Sequence, residues 1–124
     1  MARYDLDGAW GENLAAAYLR KKKYKLIGAN YRTRFGEIDL IAEDKNTVVF
    51  VEVKLRKNDA FGKPEQFVTK SKQQKINLSA RVWLAKNHKD KIVRFDIIEV
   101  YAPDGISDNY TINHIENAFY GSAF

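Results

Sequence analysis

The 124-residue sequence has no cysteine, only two prolines and no long hydrophobic run. Without cysteine, a disulfide framework and cysteine-ligated metal sites are excluded. The N-terminal residues contain no apolar signal core, and no apolar run approaches the ~18 residues that span a membrane. A chain of this length can bury a core of its own without further staples. We therefore expect a single domain, residues 1–124, in a cytoplasmic protein with no membrane association.

Basic residues are missing from one end of the chain and abundant in the rest. Residues 1–94 hold all 21 Lys and Arg together with 11 acids, whereas residues 95–124 hold five acids and no Lys or Arg. The formal net charge is +5, and the basic clusters are 20–25, 54–57, 70–75 and 86–94. A basic surface of this kind steers polyanions, which favours nucleic acid as the partner. An ordinary solvated, lysine-rich surface is the alternative interpretation.

Several common catalytic patterns are also missing. The sequence has no H-E-x-x-H pattern, no phosphate-binding glycine loop and no Ser/His/Asp set with recognisable local context. The two histidines, His88 and His114, are isolated in sequence, and His88 near a predicted helix end is interpreted as structural. Asp96, an acid within an apolar strand, is also interpreted as structural. These residues therefore provide no catalytic candidate.

Hydrophobic periodicity predicts the element order αβββαββ. The predicted helices are 6–23 and 69–87, and the predicted strands are 24–32, 36–43, 47–55 and 91–101. Residues 110–116 are predicted to be a last short strand or a tail. Residues 57–65 are predicted to be a loop, and the first strand is predicted to be interrupted at Gly28. The apolar stripe expected on the first helix is Leu6, Trp10, Leu14, Ala17 and Tyr18. The fold class is therefore α/β, with helices packed on a mixed central sheet.

The stretch GEIDLIAEDKNTVVFVEVK, residues 36–54, is the most hydrophobic predicted hairpin, yet it contains Asp39, Glu52 and Lys54. Because side chains alternate between the two faces of a strand, Glu52 and Lys54 share a face. If the turn is the two residues Lys45–Asn46, Asp39 lies directly opposite Glu52. A four-residue loop would keep both carboxylates on one face, whereas an odd loop or a bulge would separate them.

Such a carboxylate pair is costly by itself. Two carboxylates about 5 Å apart repel by roughly 3 kcal/mol at an effective dielectric near 20, in a fold worth only ~5–15 kcal/mol. Lys54 can supply one positive charge, and a hard divalent cation such as Mg²⁺ can supply two to oxygen ligands. The pair Asp39 and Glu52 therefore predicts a metal site. A surface hairpin with a Glu52–Lys54 ion pair and an exposed Asp39 is the alternative.

The two helices add polar candidates. Glu12 shares a helical face with the residues at i+3, i+4 and i+7, which are Ala15, Ala16 and Leu19. This glutamate is either part of a site or an ordinary acid near the first turn of a helix. On the second helix Gln73 lies on the apolar stripe, between Lys72 and Lys75. An ordinary solvated first turn is the simpler interpretation of that segment.

Together, Glu12, GEIDLIA (36–42), VEVKLR (51–56) and KSKQQK (70–75) resemble the YraN-like family of small bacterial proteins. The resemblance extends over nearly the whole chain, from AWGENLAAAYL to RFDIIEV, and the combination is more specific than any one motif. That family belongs to the restriction-endonuclease-like, or PD-(D/E)xK, nuclease superfamily and is similar to archaeal Holliday-junction resolvases. In one departure, Ile38 replaces the superfamily's nominal proline, although the YraN-like pattern G-E-I-D also carries isoleucine.

The resemblance implies a restriction-endonuclease-like αβββαβ core and a Mg²⁺-dependent endonuclease, with Mn²⁺ as an alternative metal. DNA is the implied partner, and branched or junction DNA is a candidate substrate. The implied metal ligands are Asp39, Glu52 and the backbone carbonyl of Val53. The implied catalytic set is Glu12, Asp39, Glu52, Lys54 and Gln73. Contacts to the nucleic-acid backbone, without base reading, are expected from Lys21, Lys22, Lys23, Arg34, Arg56, Lys72 and Lys75.

Two other functions stay open from the sequence. A nucleic-acid-binding module of the same fold, with a vestigial site or a structural metal clip, would bind in a salt-dependent way and cleave nothing. A protein–protein adaptor would dock its acidic segment, 95–124, onto another subunit and form a stable oligomer. A nuclease acting on two-fold symmetric junctions would also suit a homodimer. Metal titration therefore separates these functions better than the oligomeric state does.

Overall fold

The computed structural model describes residues 6–58, 68–87 and 91–120 of the chain. The elements are α1 (Leu6–Lys21), β1 (Lys25–Thr33), β2 (Gly36–Asp44), β3 (Thr47–Arg56), α2 (Lys70–Asn87), β4 (Ile92–Tyr101) and β5 (Thr111–Phe119). The predicted order αβββαββ is confirmed. Most of the predicted loop 57–65 lies outside the described residues. None of the helices in the described ranges is long and apolar enough to cross a membrane.

The five strands form one mixed sheet in the order β1-β2-β3-β4-β5. β3 and β4 are parallel, and the other neighbouring pairs are antiparallel. A parallel pair needs a crossover connection, and α2 lies in the connection between β3 and β4. The α/β fold class is confirmed, and the arrangement is consistent with a restriction-endonuclease-like core.

Each helix covers one face of the sheet. On the α2 face, Phe50 stacks on Phe95 with ring centroids 5.6 Å apart and meets Trp83 edge to face at 5.8 Å. On the α1 face, the buried residues are Ala15, Leu19, Tyr24, Leu40, Ala42, Val49, Val51 and Ile98. Burying each large apolar side chain contributes roughly 1.5–3 kcal/mol. Both faces of the central strands are therefore covered, as their nearly continuous apolar sequence requires.

The apolar stripe predicted for α1 is correct only in part: Trp10, Leu14 and Tyr18 are half-buried, and Tyr18 packs against the core of the α1 face. The side chain of Leu6 lies outside the described residues. Ala17 is exposed, whereas Ala15 and Leu19 are fully buried and follow Gly11 at helical spacing. A Cβ at Gly11 would lie 3.9 Å from Leu55 of β3. That distance is an ordinary van der Waals contact, so this face of α1 lies directly on β3. The face of α1 that packs on the sheet is therefore the face of Gly11, Ala15 and Leu19, which begins beside Glu12. It is not the face with the larger apolar residues.

The interruption predicted in β1 is confirmed as a break in strand register. The pairing with β2 shifts between Leu26 and Gly28. A Cβ at Gly28 would lie only 3.2 Å from the end of the Ile41 side chain. Glycine therefore lets the two strands stay close at the irregular position.

Candidate functional site

The β2–β3 hairpin has the register that a two-residue turn predicts. The turn is Lys45–Asn46, with Lys45 at a φ of +55°, and the pairing continues to Leu40–Val51. Beyond that pair, β2 is paired only with β1, and β3 only with β4. The two strands therefore separate at the next positions, which are Asp39 and Glu52.

The carboxylate of Asp39 fills the gap between the separated strands. The Val53 N–H donates a hydrogen bond to Asp39 Oδ2 at 2.8 Å, in place of a bond to a β2 carbonyl. Because the N–H and C=O of one strand residue point to the same side, the Val53 carbonyl is directed toward this gap as well. The Asp39 carboxylate of β2 and the Val53 carbonyl of β3 are therefore both directed into this gap.

The environment of the two carboxylates favours loss of one negative charge. Glu52 is only 4% exposed, and Asp39 is half-buried. Burial, the charge of Glu52 and, more weakly, that of Glu12 raise the pKa of Asp39 to about 8, although the hydrogen bond from Val53 acts in the opposite direction. A proton or another cation between the carboxylates removes this repulsion.

A lysine of α2, rather than the lysine of the hairpin, neutralises Glu52. Lys72 Nζ lies 2.8 Å from Glu52 Oε2. Burial lowers the pKa of Lys72, but the hydrogen bond and charge of Glu52 outweigh it, so the pKa is raised. Lys54 lines the same cleft, and it has no hydrogen bond or ion pair with any residue in the described ranges. The alternative of a surface Glu52–Lys54 pair is therefore not what the fold contains.

Glu12 faces the carboxylate pair from α1 and is held by a residue that the sequence did not single out. With its amide oriented so that the nitrogen faces acceptors, Asn30 donates to Glu12 Oε1 at 2.9 Å and to Glu37 Oε1 at 3.3 Å. Asn30 has a φ of +50°. Its neighbours in β1, Ala29 and Tyr31, pair with Leu40 and Ile38, the residues on either side of Asp39. Asparagine tolerates this backbone, but nothing in the strand sequence marked the position.

These groups line a cleft of about 450 Å³ between α1, the end of the hairpin and the start of α2. Its lining residues are Gly8, Gly11, Glu12, Asp39, Glu52, Val53, Lys54, Leu55 and Lys72. Gln73, although predicted in the catalytic set, does not line it. Its side-chain amide donates to the Val68 carbonyl at 3.0 Å, at the start of α2. The other four predicted catalytic residues are brought together.

The donor chemistry of the cleft fits a hard divalent cation. Within 6–58, 68–87 and 91–120, no three His, Cys, Asp or Glu side chains form a metal-binding group by themselves. Asp39, Glu52 and the Val53 carbonyl nevertheless provide three oxygen donors, and Mg²⁺ commonly uses one or two carboxylates and keeps several waters. The raised pKa of Asp39 indicates that positive charge is favourable here.

Two of the residues predicted to contact nucleic acid lie near this end of the sheet. Arg34, in the β1–β2 turn, is exposed and lies over the Phe35 ring at 4.8 Å. Lys75 is exposed on α2, and its Cβ is 3.4 Å from the position that a Cβ of Gly36 would take. Both cations therefore flank the strand that carries Asp39.

The remaining predicted contacts are placed differently. Arg56 Nη1 lies 2.6 Å from Glu99 Oε2, and its side chain is only 13% exposed. Lys21, Lys22 and Lys23 are exposed at the far end of α1, and Lys21 is about 14 Å along the helix from Glu12. Arg56 is therefore engaged inside the protein, and the lysine cluster is separated from the cleft.

A second buried polar cluster lies apart from the cleft-lining residues. Asp96 is fully buried and accepts hydrogen bonds from Arg94 at 2.9 Å, from His114 Nε2 at 2.7 Å and from the Asn117 N–H at 3.0 Å. Burial raises the pKa of Asp96, but the bonds from His114 and Arg94 outweigh it and the pKa is lowered. The cluster joins β4 to β5, which supports a structural role for Asp96. His88 lies outside the described residues.

The chain is similar over most of its length to bacterial proteins of one family. Residues 11–100 match the model described as "Uncharacterised protein family UPF0102". A UPF0102 protein of Thermodesulfovibrio yellowstonii is 47% identical, over 97% of this chain and 100% of that protein. UPF0102 proteins of Alkaliphilus oremlandii and Caldanaerobacter subterraneus are 48% and 50% identical, over 90% of this chain and 96% and 93% of theirs. The matched region includes Glu12, the hairpin and α2.

Proposed function

The chain belongs to the UPF0102, or YraN-like, family, and we propose that it is a metal-dependent endonuclease that hydrolyses phosphodiester bonds in DNA. The observation that carries the proposal is the carboxylate pair Asp39 and Glu52, placed where β2 and β3 separate and next to two lysines of the cleft. The resemblance of the G-E-I-D and V-E-V-K segments to the PD-(D/E)xK pattern supports the same chemistry. Burial and the charge of Glu52 raise the pKa of Asp39, which supports a site that takes up a cation.

Asp39, Glu52 and the Val53 carbonyl would hold Mg²⁺ or Mn²⁺. Such an ion supplies a water of lowered pKa and polarises a phosphate oxygen. The two carboxylates would then no longer face each other with a repulsion of roughly 3 kcal/mol at about 5 Å. The same arrangement explains why the Val53 N–H holds Asp39 in position, since this bond fixes one ligand oxygen and leaves the other available.

The remaining groups of the cleft act on the water and the phosphate. Lys54, half-buried and without an ion pair in the described ranges, would orient the attacking water and offset charge that develops on the phosphate. Glu12, fixed by Asn30, would hold a second water by hydrogen bonding from the opposite wall. These roles place a positive group and an acceptor on two sides of one reacting phosphate.

The basic residues near the cleft would position the DNA without reading its sequence. Arg34 and Lys75 lie beside the strand of Asp39, where phosphates on either side of the cleavage site would pass. Lys21–Lys23 would be reached only by a substrate that extends about 14 Å along α1. A duplex or a branched DNA has this length, and junction DNA remains the candidate that the family resemblance favours.

The test is a cleavage assay on single-stranded, duplex and four-way-junction DNA with Mg²⁺ or Mn²⁺. We expect cleavage that EDTA abolishes and that falls at least about 10²-fold in Asp39→Ala, Glu52→Ala and Lys54→Ala. Lys86→Ala is the matched control, because Lys86 is exposed in the last turn of α2. Cleavage that persists in all three cleft variants would contradict the proposal.

One observation favours a second candidate function. The Lys72–Glu52 ion pair already neutralises the buried acid, as expected of a nucleic-acid-binding module that needs no metal. Such a module would bind DNA with an affinity that falls steeply with salt, and would cleave none of the three substrates. The cleavage assay with purified protein therefore distinguishes the two functions.

A further inference from the structure

The Lys72–Glu52 ion pair joins a buried acid to a lysine that solvent can reach. Glu52 is 4% exposed, whereas the Lys72 side chain is 45% exposed, and the two charged groups are 2.8 Å apart. The Lys72 N–H is fixed at the start of α2 by the Thr69 hydroxyl at 3.1 Å. The backbone is therefore held in place, while the flexible side chain has room to leave the carboxylate.

A divalent metal ion and the Lys72 ammonium group would compete for the single negative charge of Glu52. A buried carboxylate requires a partner, which explains why Lys72 reaches into the cleft. A divalent ion on the same side chain would repel an ammonium group a few ångströms away. By thermodynamic linkage, each cation must weaken the binding of the other by the same factor.

We propose that Lys72 is a counter-ion that the divalent metal displaces from Glu52, and that the released ammonium then binds a phosphate of the substrate. The inference rests on the proposed function and concerns the control of the same cleft. Lys72 is suited to both positions because it lines the cleft beside Lys54, the lysine assigned to the reacting phosphate. Metal binding would thereby convert an internal ion pair into one additional contact to DNA.

The first experiment measures Mn²⁺ binding to the full chain by calorimetry, without DNA. Lys72→Met removes the competing charge and keeps an unbranched side chain, so Mn²⁺ should bind at least about fivefold more tightly. Lys70→Met, which removes the same charge from an exposed residue of the same helical turn, should change the affinity by less than about twofold. Unchanged or weaker Mn²⁺ binding by Lys72→Met would overturn the proposal.

A second variant keeps the proposal testable if Lys72→Met does not fold. Lys72→Arg retains the charge and can bind a carboxylate through two N–H groups, which strengthens the pair with Glu52. We therefore expect Lys72→Arg to bind Mn²⁺ about twofold or more weakly than the unmodified chain. A side chain that only supported the fold would not shift metal affinity in opposite directions, and tighter binding by Lys72→Arg refutes the competition.

The second experiment counts phosphate contacts through the salt dependence of DNA binding. The protein used is Lys54→Ala, in which cleavage should be at least about 10²-fold slower, and its duplex affinity is measured over a range of salt in EDTA and in saturating Mn²⁺. The slope of log affinity against log salt should become steeper when Mn²⁺ is added. This change should be larger by about 0.9 in Lys54→Ala, which keeps Lys72, than in Lys54→Ala/Lys72→Met. Equal changes in both proteins would disprove the transfer of Lys72 to phosphate.

The outcomes separate this inference from the proposed function. Equal Mn²⁺ affinity in all Lys72 variants of a protein that cleaves DNA would refute the competition alone. Absence of Mn²⁺ binding from the unmodified chain and from every variant would refute both.

Discussion

Replacing Asp39 by Asn should stabilise the protein in EDTA and remove its response to divalent metal. The two side chains have the same shape, and the Asn oxygen can still accept the hydrogen bond that Val53 donates at 2.8 Å. The substitution therefore removes one charge beside Glu52 with little change in packing. A residue kept for stability would show the opposite result, because losing its charge would weaken the fold.

The size of the effect follows from the pKa of Asp39, which is raised from 3.8 to about 8. Between these values the folded chain binds the proton and the unfolded chain does not, so the free energy of unfolding falls as the pH rises. The contribution is fully present below about pH 4 and is lost as the pH rises through about 8. A full shift would be worth about 6 kcal/mol at about 1.4 kcal/mol per pKa unit. Partial exposure reduces this, and we expect about 1–3 kcal/mol.

Urea unfolding between pH 4 and pH 9 in EDTA measures this difference. Asp39→Asn should match the unmodified protein near pH 4 and exceed its free energy of unfolding by about 1–3 kcal/mol at pH 8 to 9. At a metal concentration ten times the dissociation constant, the unmodified protein should gain about 1.4 kcal/mol and the variant almost nothing. Asp44→Asn, the same change at the other end of β2, is the control and should alter neither response.

Two results would refute this reasoning. One is a variant that is less stable than the unmodified protein at pH 8 to 9 in EDTA, which would mean that the Asp39 charge is favourable without metal. The other is an equal gain from Mg²⁺ or Mn²⁺ in both proteins, which would place the metal elsewhere.

The other predictions concern residues that support the cleft or the sheet. Gly28→Ala places a Cβ 3.2 Å from Ile41 and should cost about 1–2 kcal/mol in urea unfolding, and an unchanged midpoint would contradict the close approach. Asn30→Gly keeps the positive φ but removes the amide that donates to Glu12, so cleavage should fall about tenfold with a stability loss below about 1 kcal/mol. Full cleavage by that variant would show that Asn30 does not position Glu12 for the reaction. Asp96→Asn should lower the free energy of unfolding by about 3–5 kcal/mol at pH 7. The fold stabilises the charged carboxylate of Asp96, which is why its pKa is lowered, so the difference should be lost as the pH falls below about 4. Equal urea midpoints at pH 7 would exclude this.

Features that depend on neighbouring residues were predicted from the sequence. The β-branched run TVVFVEVKL predicted β3, the alternation of side chains along a strand assigned its two faces, and the two-residue turn Lys45–Asn46 set the hairpin register. Because register follows from turn length and side-chain period, the approach of Asp39 to Glu52 was also predictable. The helical pattern left two interpretations of Glu12, the family resemblance favoured the site, and the cleft contains this residue.

The errors and omissions all involve packing between elements. The stripe of α1 missed the most buried face because it followed the large apolar residues, whereas the face against the sheet carries Gly11, Ala15 and Leu19. Arg56 looked like a phosphate contact because its partner, Glu99, lies on a strand more than forty residues later. His114 looked isolated for the same reason.

The sequence by itself determined the order of the elements, the hairpin register and the presence of two acids on facing strands of the hairpin. These depend on turn length, side-chain alternation and composition, all of which act over a few residues. Only the tertiary structure decided that Lys72, and not Lys54, neutralises Glu52. That pairing depends on where the crossover helix α2 begins above the sheet, and ionic contacts form by distance in space rather than by separation along the chain.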